Sequence, residues 1–138
     1  MLTAREQILR DIRQHLPTDA ALPPLDGPWT RYDDPLKKFC DVLREVGGAG
    51  RGVQSAAALR EELDRLCGQL GTERICSALP DVLAGNVDLG AIDDPHDLAD
   101  VDLAILPGEL AVAENGAVWV TAAAVRQRVA FFLSQHVA

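Results

Sequence analysis

Apolar residues recur at helical spacing near the N-terminus of the chain. They are Ile8, Leu9, Ile12 and Leu16. Thr3 and Glu6 precede most of this stripe at the spacing of a capping box, in which each side chain satisfies the other residue's free backbone N–H. Pro17 cannot continue a helix, because it has no N–H and its ring blocks the preceding turn. The pattern predicts a helix that begins after Thr3 and ends before Pro17.

Two further amphipathic helices are predicted in the first half of the chain. Asp34 and Pro35 are typical of an N-cap and a first helical position, and the helix is expected to end at Gly47. Its apolar stripe consists of Leu36, Phe39, Cys40, Leu43 and Val46. Ser55 is typical of another N-cap, with Gly68 near the end of that helix. The predicted inner side of this helix carries Leu59, Leu63 and Leu66.

The connections between these helices are rich in Pro, Asp and Gly. Residues 17–34 are predicted to form an extended surface connection. Residues 47–52, Gly-Gly-Ala-Gly-Arg-Gly, contain the glycines of a phosphate-binding loop, but such loops follow a strand and open a helix. This segment follows a helix, so the pattern favours a flexible helix-to-strand connection.

Short apolar runs with β-branched residues predict strands. The candidates are residues 52–54, 74–78, 101–106, 110–113 and 117–121. The order strand, helix, strand with short links is typical of parallel strands covered by helices. The predicted fold class is α/β.

Length and charge limit the classes of protein to which the chain can belong. A chain of 138 residues fits one domain, and its 48% hydrophobic content is that of a folded protein. Thirteen basic against 21 acidic side chains give a net charge of −8, which argues against nucleic acid as a partner. No apolar run reaches the roughly 20 residues that span a bilayer, and no signal peptide is visible. We therefore expect a cytoplasmic protein without a membrane span.

Neither the cysteines nor the acidic residues have the spacing of a metal site. Cys40, Cys67 and Cys76 contain no CxxC pair, so we expect reduced core thiols and no iron–sulfur cluster or disulfide in this chain. Residues 80–102 combine several aspartates with His96, but without the spacing of a ligand loop. A solvated acidic loop without a metal is the expectation.

Candidate binding chemistry lies in the final third of the chain. Asn115-Gly116 is a favoured turn dipeptide, which predicts a hairpin but does not account for Glu114 beside it. Ligand sites of open α/β sheets commonly lie at strand ends. Arg126 and Arg128 suit an anionic ligand but are equally consistent with surface charges. His136 is a candidate neighbouring hydrogen-bonding group, although a lone histidine is usually structural.

Residues 101–120, Val-Asp-Leu-Ala-Ile-Leu-Pro-Gly-Glu-Leu-Ala-Val-Ala-Glu-Asn-Gly-Ala-Val-Trp-Val, resemble the hallmark segment of the lactate utilization protein C family, also called the LUD domain. That family typically has an Ala-Ile-Ala-Glu-Thr-Gly-Thr phrase, an apolar strand, a basic pair and a short stretch ending in His-Ile or His-Val. Residues 111–117 match the phrase with Asn115 in place of Thr, and Arg126, Arg128 and His136-Val137 match the remainder.

The resemblance implies a Rossmann-like parallel or mixed sheet flanked by helices, similar to the sugar-phosphate isomerase and coenzyme A transferase group. It implies an accessory or substrate-handling subunit in the oxidation of L-lactate to pyruvate, with iron–sulfur clusters in partner subunits and none bound here. Glu114 is then the candidate catalytic residue. Asn115, Gly116, Arg126, Arg128 and His136 are the candidate contacts to a small carboxylate. The family usually continues beyond its His-Val strand, so residues 1–138 are expected to form one LUD-type domain lacking its C-terminal part.

Two alternatives remain. Glu114-Asn115-Gly116 also resembles the Ser-Glu-Asn-Gly phrase of coenzyme A transferases, in which the glutamate is the acyl-accepting nucleophile. The glycine-rich oxyanion loop of those enzymes is not visible. The second alternative is a noncatalytic regulatory or interaction domain.

Overall fold

The computed structural model describes residues 3–16, 21–24, 26–121, 125 and 127–138. The chain divides into two compact units, Met1–Arg31 and Tyr32–Ala138. In the first unit, helix α1 spans Ala4–His15, and Thr3 and Glu6 form the predicted capping box. Ile8 and Ile12 of this helix are exposed, as is Leu16 directly after it. Residues 21–24 and 26–34 contain no helix or strand, and the rest of the predicted connection, 17–20 and 25, lies outside the described residues.

Two capped helices open the second unit. Helix α2 spans Pro35–Glu45 with Asp34 as N-cap, and its carboxylate accepts a hydrogen bond from the Lys37 amide at 2.8 Å. Helix α3 spans Ala56–Leu70, where Ser55 caps the start and Gly71 ends the helix in the left-handed conformation. In α2 the buried residue is Val42, whereas Leu36 and Val46 are exposed. The predicted apolar stripe of α2 is thus covered in its middle and exposed at its ends.

Three short strands form a parallel sheet in the order β1-β2-β5. They are β1 Ile75–Ser77, β2 Leu103–Ile105 and β5 His136–Val137. A separate antiparallel hairpin joins β3 Leu110–Val112 to β4 Ala117–Trp119. A 3-10 helix at Pro95–Leu98 and the short helix α4 Ala130–Leu133 complete the unit. The predicted α/β class is thus confirmed as a small parallel sheet flanked by helices.

The predicted strand at residues 52–54 is wrong. These residues have no strand conformation and are exposed. The central strand β2 already has β1 on one side and β5 on the other, which leaves no place beside it for a further strand. Parallel pairing comes instead from strands much farther apart in sequence, at 75–77 and 103–105.

The core lies on both faces of β2. Leu103 and Ile105 pack with Leu63 of α3 on one face. Ala104 packs on the other face with Cys76 and Ala130, which is the first residue of α4. Because successive residues of a strand point to opposite faces, an uninterrupted apolar strand is what a doubly covered sheet requires.

One edge of the sheet is closed by a side chain. Asn86 accepts a hydrogen bond from the Ile75 amide at 2.8 Å and donates one to the Glu73 carbonyl at 2.5 Å, as a neighbouring strand backbone would. Val87 then pairs with Cys76 in a parallel bridge. This close approach requires Gly85, because a Cβ there would lie 2.5 Å from the Ile75 carbonyl oxygen.

Among the described residues, no helix has both the length and the apolar character needed to cross a bilayer.

Candidate functional site

The Glu114-Asn115-Gly116 phrase lies at the tip of the β3–β4 hairpin, as predicted. Residues 113–116 connect the strands, and the Gly116 amide donates to the Val112 carbonyl at 2.9 Å. The Asn115 side chain accepts from the Ala117 amide at 2.9 Å, which fixes the second half of the turn. Gly116 has a φ of 72°, whereas Asn115 does not have a positive φ. The hairpin therefore uses a four-residue connection rather than a two-residue turn with two left-handed residues.

Gly116 also lies against α2. A Cβ at this position would be 3.4 Å from Cγ1 of Val42 and 3.5 Å from the Cα of Leu43. A larger residue would meet both the strain of a positive φ and the surface of the helix. Gly116 thus supports the turn by its conformation and by its proximity to α2.

Glu114 is exposed, and no hydrogen bond or ion pair of its side chain occurs among the described residues. Its carboxylate is available to accept hydrogen bonds from a ligand. A covalent carboxylate nucleophile depends on positioning and desolvation. The exposed position of Glu114 provides neither.

The structure does not join the other predicted contacts to Glu114 in one cluster. Arg128 is exposed in the turn that precedes α4, and Arg126 lies outside the described residues. His136 is exposed in β5, where its amide donates to the Asp102 carbonyl at 2.9 Å. Of these residues, His136 lines a cavity of about 380 Å³ beside β5.

Three adjoining cavities beside β5 share Ala49 and Ala138 among their lining residues, and we call them together the edge cleft. Their volumes are about 280, 340 and 380 Å³. The lining side chains are mainly apolar. They include Leu43, Leu59, Leu66, Leu70, Leu106, Val118, Val120 and Val137.

The glycine-rich segment at 47–52 contributes to this cleft, a role that the sequence did not indicate. Gly47, Gly48, Ala49 and Arg51 are among the lining residues. A Cβ at Gly48 would lie 2.7 Å from Cδ1 of Leu43, and one at Gly50 would lie 2.7 Å from the Cys40 sulfur. The glycines therefore let the backbone pass close to α2. Their repetition was the available signal, but only the fold shows what they pass.

The charged residues of the edge cleft belong to one cluster. The Arg51 Nε lies 2.7 Å from Glu62, and Arg65 donates from its own Nε to the same carboxylate at 2.9 Å. The hydrogen bonds from Arg65, with the charges of both arginines, lower the pKa of Glu62. Two guanidinium groups thus share one carboxylate.

Asp102 connects the starts of β1 and β2. Its Oδ2 accepts hydrogen bonds from the amides of Glu73 and Arg74, both at 2.8 Å. These backbone hydrogen bonds lower the pKa of Asp102, with smaller contributions from the charges of Arg74 and His136. This carboxylate fixes the sheet and is not free for catalysis.

The acidic region folds as a loop with the short 3-10 helix. Asp94 accepts hydrogen bonds from the amide and Nδ1 of His96, at 2.9 and 2.8 Å, and these bonds lower the pKa of Asp94. Within the part of the chain that the structure describes, no three His, Cys, Asp or Glu side chains converge as metal ligands.

The three cysteines are free thiols. Cys76 is buried, which raises the pKa of its thiol, while Cys40 and Cys67 are half-buried.

Comparisons with protein-family models, with curated proteins and with solved structures find no match to this chain. The resemblance of residues 101–138 to the lactate utilization protein C family therefore stays a prediction.

Proposed function

We propose that the chain is an accessory or substrate-handling subunit of a system that oxidizes L-lactate to pyruvate with iron–sulfur partner proteins. One observation carries this proposal together with the sequence resemblance. The Ala-Val-Ala-Glu-Asn-Gly phrase lies in the hairpin that follows β2 and precedes β5 along the chain, and these two strands are parallel. Its Glu114 is exposed and accessible to ligands.

The finer fold assignment belongs to the same proposal. A Rossmann-like arrangement of the sugar-phosphate isomerase and coenzyme A transferase group has a parallel sheet covered on both faces. The sheet β1-β2-β5, with α3 on one face and α4 on the other, is consistent with such a fold. Open α/β sheets of this kind commonly bind ligands beyond the carboxyl ends of their strands.

In this proposal the polar residues of the last third bind a small carboxylate. Arg128 supplies a guanidinium to the anion, and Asn115 and Gly116 shape the turn that carries Glu114. His136 contributes a hydrogen-bonding ring at the edge of the sheet. Arg126 is proposed as a second anion contact, from the sequence alone. In this proposal the electrons of lactate pass to iron–sulfur clusters in the partner subunits.

Growth on L-lactate tests this proposal. A strain deleted for the gene is expected to lose growth on L-lactate as sole carbon source and to recover with the intact gene. Complementation with Glu114→Gln or Arg128→Ala is expected to fail, whereas the control Glu61→Gln, an exposed glutamate of α3, restores growth. Normal growth of the deleted strain, with partner genes intact, contradicts the proposal.

A noncatalytic interaction domain is the second candidate. The observation that favours it is the exposure of large apolar side chains on the hairpin, since exposed apolar clusters are typical of protein contacts. They are Leu110 and Trp119, which lie directly opposite each other on the two strands. Anaerobic co-purification distinguishes the two candidates: iron–sulfur partners are expected for the lactate system, and binding partners without lactate-dependent reduction are expected for an interaction domain.

The coenzyme A transferase alternative gains no support from an exposed Glu114 and stays a prediction. Incubation with an acyl-CoA followed by hydroxylamine tests it, because the acyl group would leave as a free carboxylate, coenzyme A would form a thioester with Glu114, and hydroxylamine would convert that thioester to an inactive glutamyl hydroxamate with release of coenzyme A. An unmodified Glu114 after this treatment removes the alternative.

A further inference from the structure

The chain contains two asparagines, Asn86 and Asn115, and of these only Asn115 is followed by glycine. The backbone nitrogen of the next residue can attack Cγ of an asparagine side chain and close a cyclic imide. Glycine favours this attack, because it has no Cβ to crowd its nitrogen and it enters unusual backbone conformations readily. Valine follows Asn86, and its branched Cβ hinders the same attack. The sequence therefore makes Asn115 the more reactive asparagine.

The reaction expected at Asn115 is deamidation, which needs no reactant other than water. The Gly116 nitrogen gives its proton to hydroxide and bonds to Cγ of Asn115. The bond from Cγ to Nδ2 breaks, and Nδ2 leaves as ammonia with a proton taken from water, which restores the hydroxide. Water then opens the imide on one side or the other. The product is aspartate, or isoaspartate in which the backbone runs through the former side chain, and each carries a new carboxylate.

The folded hairpin engages two of the groups that this reaction uses. The Gly116 amide donates to the Val112 carbonyl at 2.9 Å, so its proton is held in the turn. The Oδ1 of Asn115 accepts from the Ala117 amide at 2.9 Å, which ties the side chain to the turn as well. Attack on Cγ requires the first hydrogen bond to break and the side chain to leave its place in the second. The closed hairpin is therefore expected to react slowly.

Opening of this hairpin is expected to require little free energy. Strands β3 and β4 form a two-stranded sheet that is separate from β1-β2-β5. Leu110 and Trp119 lie opposite each other in it and are 63% and 64% exposed. A hairpin of two strands is marginally stable by itself, and regions with few buried contacts open locally without global unfolding. Each opening frees the Gly116 nitrogen and the exposed Asn115 side chain for the reaction.

Asn86 provides a contrast within the same chain. Its Oδ1 accepts from the Ile75 amide, and its Nδ2 donates to the Glu73 carbonyl. The nitrogen that would attack belongs to Val87, whose amide donates to the Ile75 carbonyl at 3.0 Å. These groups are therefore held at the edge of the parallel sheet, whose strands contain the core. Their release requires disruption of that sheet.

We propose that Asn115 is a site of spontaneous deamidation and that opening of the β3–β4 hairpin sets its rate. Aspartate at this position keeps an oxygen that can accept from the Ala117 amide, so the turn persists with a second carboxylate beside Glu114. Isoaspartate lengthens the backbone of the connection, so the pairing of Val112 with Ala117 no longer fits the turn. The modification thus alters the charge or the shape of the hairpin tip. This inference does not depend on the role in lactate oxidation.

Mass spectrometry of the full chain tests the site and its dependence on the fold. The chain is held at mildly alkaline pH, either native or unfolded in urea, and is then digested at acidic pH. Replacement of an amide by a carboxylate adds about one mass unit to the peptide that contains it. The gain is expected at Asn115 before Asn86, and at least about tenfold faster in urea than in the native chain. A synthetic peptide of residues 111–118, with and without urea, corrects for any effect of urea on the chemistry.

Protein variants test the role of hairpin opening. Leu110→Gly combined with Trp119→Gly removes a cross-strand pair and leaves the turn sequence unchanged. This double variant is expected to react about threefold faster or more in the native state, with an unchanged rate in urea. Leu22→Gly, at a position 93% exposed outside the hairpin, is expected to change neither rate. Asn115→Gln is expected to abolish the gain at this site, because its longer side chain would have to close a larger ring. Circular dichroism verifies that each variant is folded.

Three results overturn the inference. The first is an absence of mass gain at Asn115 in the unfolded chain, or a gain at Asn86 that precedes it. The second is an equal rate at Asn115 in the native and the unfolded chain. The third is a native rate in the Leu110→Gly, Trp119→Gly double variant that equals that of the wild type.

Discussion

The central strand of the sheet and the hairpin that follows it contain similar residues in very different surroundings. In β2, Leu103 and Ala104 are fully buried and Ile105 is 2% exposed. In the hairpin, Leu110 is 63% and Trp119 is 64% exposed. Strand β2 is covered on both faces, whereas a two-stranded hairpin has no neighbouring strands to complete it. The sheet is therefore expected to supply most of the stability, whereas the hairpin leaves large apolar side chains exposed.

The largest expected effect is that of truncating β2. Leu103→Ala removes a fully buried side chain between α3 and the sheet, and it is expected to lower the free energy of unfolding by roughly 2–5 kcal/mol. Urea denaturation followed by circular dichroism measures this loss. The matched control is Leu110→Ala in the hairpin, for which we expect a change within about 0.5 kcal/mol. Equal losses in the two variants would break the contrast between sheet and hairpin.

Gly85→Ala tests whether the closed edge of the sheet also contributes. The added Cβ would lie 2.5 Å from the Ile75 carbonyl oxygen and 2.9 Å from the Ser77 amide nitrogen, and both are backbone atoms of the β1 segment. We expect a loss of about 1–3 kcal/mol in the free energy of unfolding, measured by urea denaturation. Gly52→Ala is the control, because a Cβ there meets no atom within 4 Å. A Gly85→Ala variant as stable as this control would show that the segment moves away without cost.

Asp102→Asn tests the connection between the starts of β1 and β2 through pH. The pKa of Asp102 is lowered in the folded chain, so its contribution to stability is present above the unfolded pKa of about 3.9 and is lost as pH falls through the lower folded value. The wild type is thus expected to lose more stability than Asp102→Asn below about pH 4. Thermal unfolding between neutral and acidic pH measures the difference.

The control for this experiment is Asp81→Asn, an exposed aspartate whose side chain makes no hydrogen bond within the described ranges. Its pH profile is expected to parallel that of the wild type. Parallel profiles for Asp102→Asn as well would contradict a specific role of the two backbone hydrogen bonds from Glu73 and Arg74.

The smallest expected effect is that of Trp119→Ala. More than half of this side chain is exposed, so the free energy of unfolding should change by about 0.5 kcal/mol or less. A larger loss, measured by urea denaturation, would show that the hairpin belongs to the core. Loss of partner co-purification at unchanged stability would sharpen the assignment of the hairpin as a binding surface.

Local features could be predicted from the sequence, and pairings between distant segments could not. The caps Thr3, Asp34 and Ser55 are correct because each depends on residues within one helical turn. The strand at 52–54 is wrong because strand formation depends on pairing with segments distant in sequence, which the local pattern of these residues does not show. The predicted α/β class is right, although the parallel pairs come from other strands.

The candidate site also combines local features, which could be predicted, with distant contacts, which could not. The hairpin turn at Asn115 and Gly116 was predictable, since its geometry depends on the turn residues themselves. The edge cleft was not, because its walls come from segments as distant as Ala49 and Val118. The structure places Glu114 at the tip of the hairpin, Arg128 before α4 and His136 in β5. That these residues converge on one ligand stays a prediction.

The amide of Asn86 has a consequence for how the protein behaves at high concentration. It accepts from the Ile75 amide, and the backbone amide of Val87 donates to the Ile75 carbonyl at 3.0 Å, so this side of β1 is covered. Fibrils grow by stacking sheets edge to edge, which requires two open edges on every subunit. With one edge closed, such stacking cannot continue from subunit to subunit. Replacement of Asn86 by a residue without a side-chain amide would leave the Ile75 amide without its partner, while the backbone amides of residues 86 and 87 would still cover the Ile75 carbonyl.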